Sequence, residues 1–137
     1  MHSEEYKQVV RQFNIKVIQQ GDRVAFDALM APDFVNHTAL PGTPVGPEGM
    51  WRTFEHVLRP GLSDLTVEIH EQLCDGDKVT TRKTIHGVHT GTLAGIAATG
   101  RKVAIDAIDI VRVHEGRYVE HWGLNNLQAI LAGLRAA

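Results

Sequence analysis

The chain has 137 residues, of which 43% are hydrophobic and 22% are charged, and its net charge is −2 at pH 7. Its 14 Lys and Arg residues are scattered, which argues against a nucleic-acid partner, and no apolar run approaches the ~20 residues of a membrane span. A sequence of this length and composition is expected to form one globular domain, residues 1–137.

Helical spacing of apolar residues dominates the first half of the sequence. Helices are predicted over 3–20, over 22–31 with Asp22 as the N-cap, and from about 47 to 59. A short extended piece, 34–37, leads into a loop rich in proline and glycine before the third helix.

In the second half the apolar period changes from 3.6 to 2. Strands are predicted from Leu65 to a turn at 75–77, over 78–91, over 103–113 and, after a turn at Glu115-Gly116, through 119–123, with a closing helix over 126–134. Helices followed by long antiparallel strands predict an α+β fold in which the helices pack on one face of a curved sheet.

The strand over 103–113 carries one charge on an otherwise apolar face. Val103, Ile105, Ala107, Asp109, Val111 and Val113 alternate along that face. A carboxylate there has lost water, so it must find a partner or shift its pKa, and an apolar wall would raise that pKa. His121 lies on the returning strand, whose alternation is Val119, His121, Gly123, and it is the candidate partner. Asp109 and His121 are therefore the predicted catalytic pair, with the carboxylate fixing one imidazole tautomer.

Structural explanations of both residues stay open. Asp109 could be a buried carboxylate held by backbone or by Arg112, although Arg112 has the opposite strand parity. His121 could be a core histidine that is hydrogen-bonded to a carbonyl group.

No metal or cofactor site is predicted. His86 and His89 are three residues apart on a strand, so they point to opposite faces, and no His-x-His or Cys-x-x-Cys motif is present. The glycine-rich stretch 91–100 lacks a G-x-G-x-x-G motif. The single cysteine, Cys74, allows no internal disulfide, and the polar, acidic start of the chain does not resemble a signal peptide, so a cytoplasmic location is expected.

Several short motifs occur in a specific order. They are an Asn-His pair followed by LPG and GPEG, then G-x-H-T-G, A-T-G-R and finally I-D-I-x-R-x-x-x-G-x-x-x-E-H-W. Together they resemble the SnoaL-like polyketide cyclase family of the NTF2-like superfold. The resemblance implies a cone-shaped α+β barrel with three N-terminal helices on the concave face of the sheet, a deep pocket, and usually a homodimer. It also implies cofactor-free aldol ring closure of a polyketide ester.

The resemblance also implies roles for individual residues. Asn36 and His89 stand at polar pocket positions, and His121 matches the pocket histidine of E-H-W. Asp109 stands at a polar pocket position that is often aspartate in the wider group. The acid–base aspartate of the cyclases falls two residues after the E-H-W histidine, where this chain has Gly123.

Three apolar residues, Phe34, Met50 and Phe54, are predicted to bind the substrate, with plain core packing as the alternative for each. Trp122 has the opposite strand parity to His121. It is expected on the outer sheet face, where two copies of this fold meet.

The sequence thus predicts a cofactor-free enzyme that moves a proton on a small, largely apolar carbonyl or ester compound. Asp109 would take or give the proton, His121 would assist, and Asn36 with His89 would hydrogen-bond a developing oxyanion. Two alternatives remain: a binding module without catalysis, and a hydrolase, for example one that opens epoxides with a water held in the same pocket.

Overall fold

Five strands and four helical stretches make up the protein, and the computed structural model describes residues 2–136. Among these residues no helix has both the length and the apolar character required to cross a membrane. In chain order the elements are α1 (His2–Gln12), continuing as a π-helical segment (Phe13–Gln19), α2 (Arg23–Leu29), β1 (Met30–Asn36), α3 (Pro47–Arg52), continuing through a π-helical segment (Thr53–Leu58) and a last turn (Arg59–Gly61), β2 (Leu62–Asp75), β3 (Lys78–His89), β4 (Lys102–His114), β5 (Arg117–Asn125) and α4 (Leu127–Arg135).

The strands form one sheet in the order β1-β5-β4-β3-β2, and all neighbours are antiparallel except β1 and β5. The predicted α+β fold with a mostly antiparallel sheet is confirmed. The predicted N-cap is also correct, because the Asp22 carboxylate accepts a hydrogen bond from the Ala25 backbone N–H at 3.1 Å.

The second helix is shorter than predicted. It ends at Leu29, and Met30 begins β1 instead of closing the helix. β1 pairs only with β5 and is therefore an edge strand, which tolerates the missing N–H of Pro32.

The helices cover the sheet face on which the apolar residues of β3 and β4 alternate. Phe13 from the helical N-terminal stretch stacks on Tyr118 of β5 with ring centroids 4.2 Å apart, and Phe26 of α2 packs against Phe13 at 6.1 Å. All three residues are at most 2% exposed. This contact joins the N-terminal helix directly to β5.

An irregularity in the β4–β5 pairing changes which residues of β5 point inward. The register shifts between Arg112 and Val113, so that Val113 pairs with Tyr118. Tyr118 is therefore the buried residue, and the prediction that Val119 points inward is wrong. Beyond the shift, His121 pairs with Val111 and keeps the inward direction that was predicted.

Removing the Phe13 ring tests whether this contact supports the fold. Phe13→Ala is expected to lower the free energy of unfolding by about 3–5 kcal/mol, because it leaves a cavity between the N-terminal helix and the sheet. Chemical denaturation measures the change. Ile15→Ala, at a position that is 40% exposed in the same helix, is the control and should cost much less.

Candidate active site

β4 delivers one carboxylate to the inner face of the sheet. Asp109 is 8% exposed and lies between inward-facing Ala107 and Val111 on the same strand. The sequence-based prediction that the Asp109 side chain points to the inner face of the sheet is therefore correct. Such a buried carboxylate is stable only if other groups replace the water that it has lost.

Two side chains contact the same oxygen of that carboxylate. Lys83 Nζ lies 3.2 Å from Asp109 Oδ2 and His121 Nε2 lies 3.4 Å from it. The other oxygen, Oδ1, is buried and has no hydrogen-bond partner among residues 2–136. The structure thus brings Asp109 and His121 together and adds a lysine to the pair.

The charge of Lys83 reverses the pKa shift that was expected for Asp109. Burial by itself would raise the pKa of the Asp109 carboxyl, but the positive charge of Lys83 and the hydrogen bond and charge of His121 outweigh it and lower that pKa below the usual value. The predicted rise is therefore wrong. The carboxylate is ionised in spite of its burial.

The far side of the imidazole is fixed by Asn36 at the end of β1. His121 Nδ1 lies 2.9 Å from Asn36 Oδ1, which also accepts hydrogen bonds from the Thr38 backbone N–H at 3.2 Å and from Thr38 Oγ1 at 3.3 Å. Because an oxygen that accepts from Thr38 must also accept from the imidazole, Nδ1 carries a hydrogen. Asn36 is thus brought to the site as predicted, and it leaves Nε2 facing Asp109.

His89 lies elsewhere. Its ring is fully buried, Nδ1 accepts from the Thr99 backbone N–H at 3.3 Å, and Nε2 lies 3.2 Å from the Ile96 carbonyl oxygen. Both ring nitrogens are used to anchor the glycine-rich connection between β3 and β4. No nitrogen is left for an oxyanion, so the predicted substrate contact of His89 does not fit the structure.

The three apolar residues predicted to bind substrate are core residues. Phe34 is 1% exposed and packs against Tyr118, and Met50 is 5% exposed in the same core. Phe54 is half-buried against that core and packs edge-on to Phe13. Phe34 and Met50 have almost no free surface, so the core-packing alternative describes them better.

A groove of about 660 Å³ lies on the outer face of the sheet, and its lining includes neither Asp109 nor His121 nor Asn36. It runs along β4 and β5, where outward-facing Ile108, Ile110 and Leu124 contribute to its walls, and its lining includes Lys83 and Gly123. The expected deep pocket between the sheet and the helices is instead filled at this level by Asn14 and Lys83, which are 0% and 5% exposed. Among the side chains of Asp109, His121 and Lys83, that of His121 is the most accessible, with 15% of its surface exposed.

Comparison with known families and structures identifies the relatives of the chain. The profile of the SnoaL-like polyketide cyclases matches residues 8–134. The chain belongs to the SnoaL-like polyketide cyclase family. Curated proteins give no significant match.

Solved structures of this SnoaL-like fold superpose over nearly the whole chain. IdmH of Streptomyces antibioticus, a proposed polyketide cyclase, is 29% identical with a TM-score of 0.82, covering 95% of this chain and 98% of its own. TsrD of Streptomyces laurentii is 26% identical with a TM-score of 0.82, covering 96% and 95%. AclR of Streptomyces galilaeus, a proposed hydroxylase, is 23% identical with a TM-score of 0.83, covering 98% and 83%. The last likeness shows the NTF2-like fold alone.

At position 123, where the resemblance puts the acid of the cyclases, a side chain on the SnoaL-like chain would meet the imidazole of His121 in its present position. A Cβ atom on Gly123 would lie 2.8 Å from His121 Cε1 and 3.1 Å from Nε2. The imidazole therefore occupies the space above Gly123. Asp109 is the direct cross-strand partner of Gly123, so a carboxylate still stands at this level of the sheet.

Sequence reasoning missed Lys83 and Asn14. The alternation along β3 places Lys83 on the same face as Val79, Thr81 and Ile85. The apolar character of that face was the signal from which the burial of Lys83 could have been predicted. Asn14 falls four residues after buried Val10 within the apolar stripe of the helix. Among residues 2–136 no group of three or more His, Cys, Asp or Glu could hold a metal ion.

The lowered pKa of Asp109 predicts acid sensitivity. Because the folded-state pKa lies below the unfolded one, the ionised carboxylate stabilises the fold above the unfolded pKa, and this contribution is lost as pH falls through the folded pKa. The free energy of unfolding is expected to fall as the pH drops below about 5 and on through the usual aspartate pKa of about 3.9, as measured by denaturation at each pH. Asp109→Asn should flatten the dependence, whereas exposed Asp75→Asn should retain it; equal slopes in all three proteins would contradict this.

Proposed function

We propose that the protein is a cofactor-independent enzyme that transfers a proton on a small, largely apolar carbonyl or ester compound, in the manner of a polyketide or ester cyclase. The observation that supports this most strongly is the contact between the buried side chains of Asp109 and His121, in which His121 Nε2 lies 3.4 Å from Asp109 Oδ2. A carboxylate and an imidazole in contact form an acid–base unit that can accept a proton and return it. Membership of the cyclase family is consistent with that chemistry.

The geometry suggests which group meets the substrate. His121 has the greatest exposure of the cluster, while Asp109 lies behind it against the apolar face of β4. Asp109 would take a proton next to the substrate carbonyl through Oδ1, which has no hydrogen-bond donor among residues 2–136, and His121 would assist. Loss of that proton gives an enolate that can isomerise or close a ring. The Asn36 amide nitrogen has no hydrogen-bond partner among residues 2–136 and could donate to the enolate oxygen.

A second candidate is hydrolysis, for example of an epoxide. It is favoured by Asp109 Oδ1, which is buried and lacks a donor. Buried polar atoms of this kind are commonly satisfied by an ordered water, and a water held there would be a nucleophile beside its base. A module that binds a ligand without transforming it is the remaining alternative.

Substitution of the pair tests proton transfer. With a set of β-keto esters and polyketide-type methyl esters in deuterated buffer, the wild-type protein should speed incorporation of deuterium next to the carbonyl. Asp109→Asn and His121→Gln are each expected to reduce that rate by about 10²–10⁴-fold, the usual contribution of one positioned proton-transfer group. Mass spectrometry measures the incorporation, and exposed Asp75→Asn is the matched control.

The three functions give different outcomes. A loss below tenfold in a folded Asp109→Asn protein would reject Asp109 as part of the proton-transfer unit. Incorporation of labelled oxygen from water into epoxide substrates, without hydrogen exchange, would favour the hydrolase. Thermal stabilisation by a ligand with neither reaction would favour the binding module.

A homodimer is part of the proposal. Ile108 and Leu124, which are 53% and 79% exposed, stand with Trp122 along the groove on the outer sheet face. Large apolar residues clustered on one face of a sheet are typical of a protein interface, and a second copy of the chain can cover such a face by twofold symmetry.

Charge substitution on this face should separate the copies. Ile108→Glu and Leu124→Glu are each expected to convert a dimer to a monomer, because a carboxylate buried at the interface would lack a partner. Analytical ultracentrifugation measures the mass, and circular dichroism checks the fold. Val24→Glu, at a position 80% exposed on α2, should leave the dimer intact. A wild-type monomer at high protein concentration would refute the dimer.

A cytoplasmic location completes the proposal. It is supported by cysteine usage, since Cys74 is a free thiol in the structure. Fractionation of the source cells would test it, and recovery of the protein outside the cytoplasm would contradict it.

A further inference from the structure

The strongest unassigned feature of the molecule is the buried ammonium group of Lys83. Its side chain is 6% exposed and projects from β3 into the apolar face of the sheet. A charged amine in such surroundings is costly unless its charge and its hydrogens are matched by partners. Its position therefore depends on the groups that it contacts.

The lysine has one neutral and one charged partner. Lys83 Nζ donates to Asn14 Oδ1 at 2.7 Å and to Asp109 Oδ2 at 3.2 Å. Asn14 is itself oriented, because its Nδ2 donates to the Val10 carbonyl oxygen at 2.8 Å and thereby turns Oδ1 towards the amine. The lysine thus has a fixed position between the N-terminal helix and β4.

Both donors meet the carboxylate on one side only. Lys83 and His121 contact Oδ2 of Asp109, and Oδ1 receives nothing from residues 2–136. On the opposite side of the ring, His121 Nδ1 is committed to Asn36. His121 Nε2 therefore faces Asp109 Oδ2 at 3.4 Å, on the same side of the carboxylate as the lysine.

We propose that Lys83 is a positioning residue that keeps Asp109 ionised, so that Asp109 Oδ1 remains free to accept a hydrogen bond from a ligand or water. The ammonium binds Oδ2, the oxygen at which the carboxylate would otherwise be protonated. This inference rests on the proposed function for its role in catalysis, but the arrangement of charges can be measured without any substrate.

Within residues 2–136, Lys83 is the one lysine or arginine that forms an ion pair with Asp109. β5 contributes His121 and the Tyr118 phenol, whose pKa is raised well above its usual value by burial and by the charge of Asp109, so the phenol is neutral. The N-terminal helix contributes neutral Asn14, and β1 contributes neutral Asn36 on the far side of the ring.

Removing the charge while keeping a donor isolates its effect. Lys83→Gln retains an amide that can bind Asn14 and Asp109, but it has no charge. NMR observation of the Asp109 carboxyl carbon through a pH titration should give a wild-type pKa below about 3.9, the usual value for aspartate, and should place that of Lys83→Gln above it. Arg82→Gln, which removes the same charge from the neighbouring outward-facing residue of β3, should give the wild-type result.

Each outcome decides the matter. A wild-type Asp109 pKa at or above about 3.9 would overturn the proposal without reference to any variant, and this measurement stands even if Lys83→Gln fails to fold. An unchanged pKa in folded Lys83→Gln, or an equal shift in Arg82→Gln, would also overturn it. Rescue of the low value by Lys83→Arg would support it.

Activity provides a separate readout. If the wild type exchanges substrate hydrogen, the acid limb of the rate profile should move to higher pH in Lys83→Gln, because Asp109 then becomes protonated within the working range. If Lys83 served only packing, its replacement would lower the stability of the fold and leave the acid limb of the rate profile in place. That result would contradict the role in catalysis. Absence of exchange in the wild type would refute the proposed function, while the NMR result would still decide the role of Lys83.

Discussion

The structure depends on how a charged carboxylate can remain inside an apolar sheet face. Asp109 lies between Ala107 and Val111 on the apolar inner face of β4, where an unpaired charge would be strongly unfavourable. Lys83 from β3 and His121 from β5 supply the compensation from the strands on either side. Because Asn14 holds the lysine, the N-terminal helix must dock on the sheet in one register for the pairing to form. The same contacts that solve a problem of stability also create an acid–base pair.

The position of the carboxylate explains how the site differs from the pattern implied by the family. The cyclase acid is expected at position 123, where this chain has glycine and the imidazole of His121 lies directly above it. Its cross-strand partner is Asp109, so the carboxylate belongs to β4 while standing at the same level of the sheet. A carboxylate is thus present without the family residue, and Lys83 of β3 contacts it. The proposed acid–base chemistry would therefore draw on residues of three strands, β3, β4 and β5.

Much of the fold and part of the site could be predicted from the sequence. The change of apolar period from 3.6 to 2 identified the helices and strands, and the parity of β4 identified Asp109 as an inward-facing charge, since side-chain direction in a regular strand is a local property. The irregularity near Arg112 was not predictable in this way, because it depends on how β4 and β5 pair. It turned Tyr118 inward in place of Val119. His89 shows the same limit: its parity was inward, but the connection after β3 folded back and used both ring nitrogens.

Local spacing along the chain is enough to predict the α+β architecture, the helix that Asp22 caps, and a charge on an apolar strand face. The partners of that charge depend on how distant parts of the chain pack together. Lys83 and Asn14 are 26 and 95 residues away from Asp109 along the chain, and no local pattern joins them. Their meeting reversed the expected direction of the Asp109 pKa shift, since the effect of a neighbouring charge depends on distance in space, and the fold alone sets that distance.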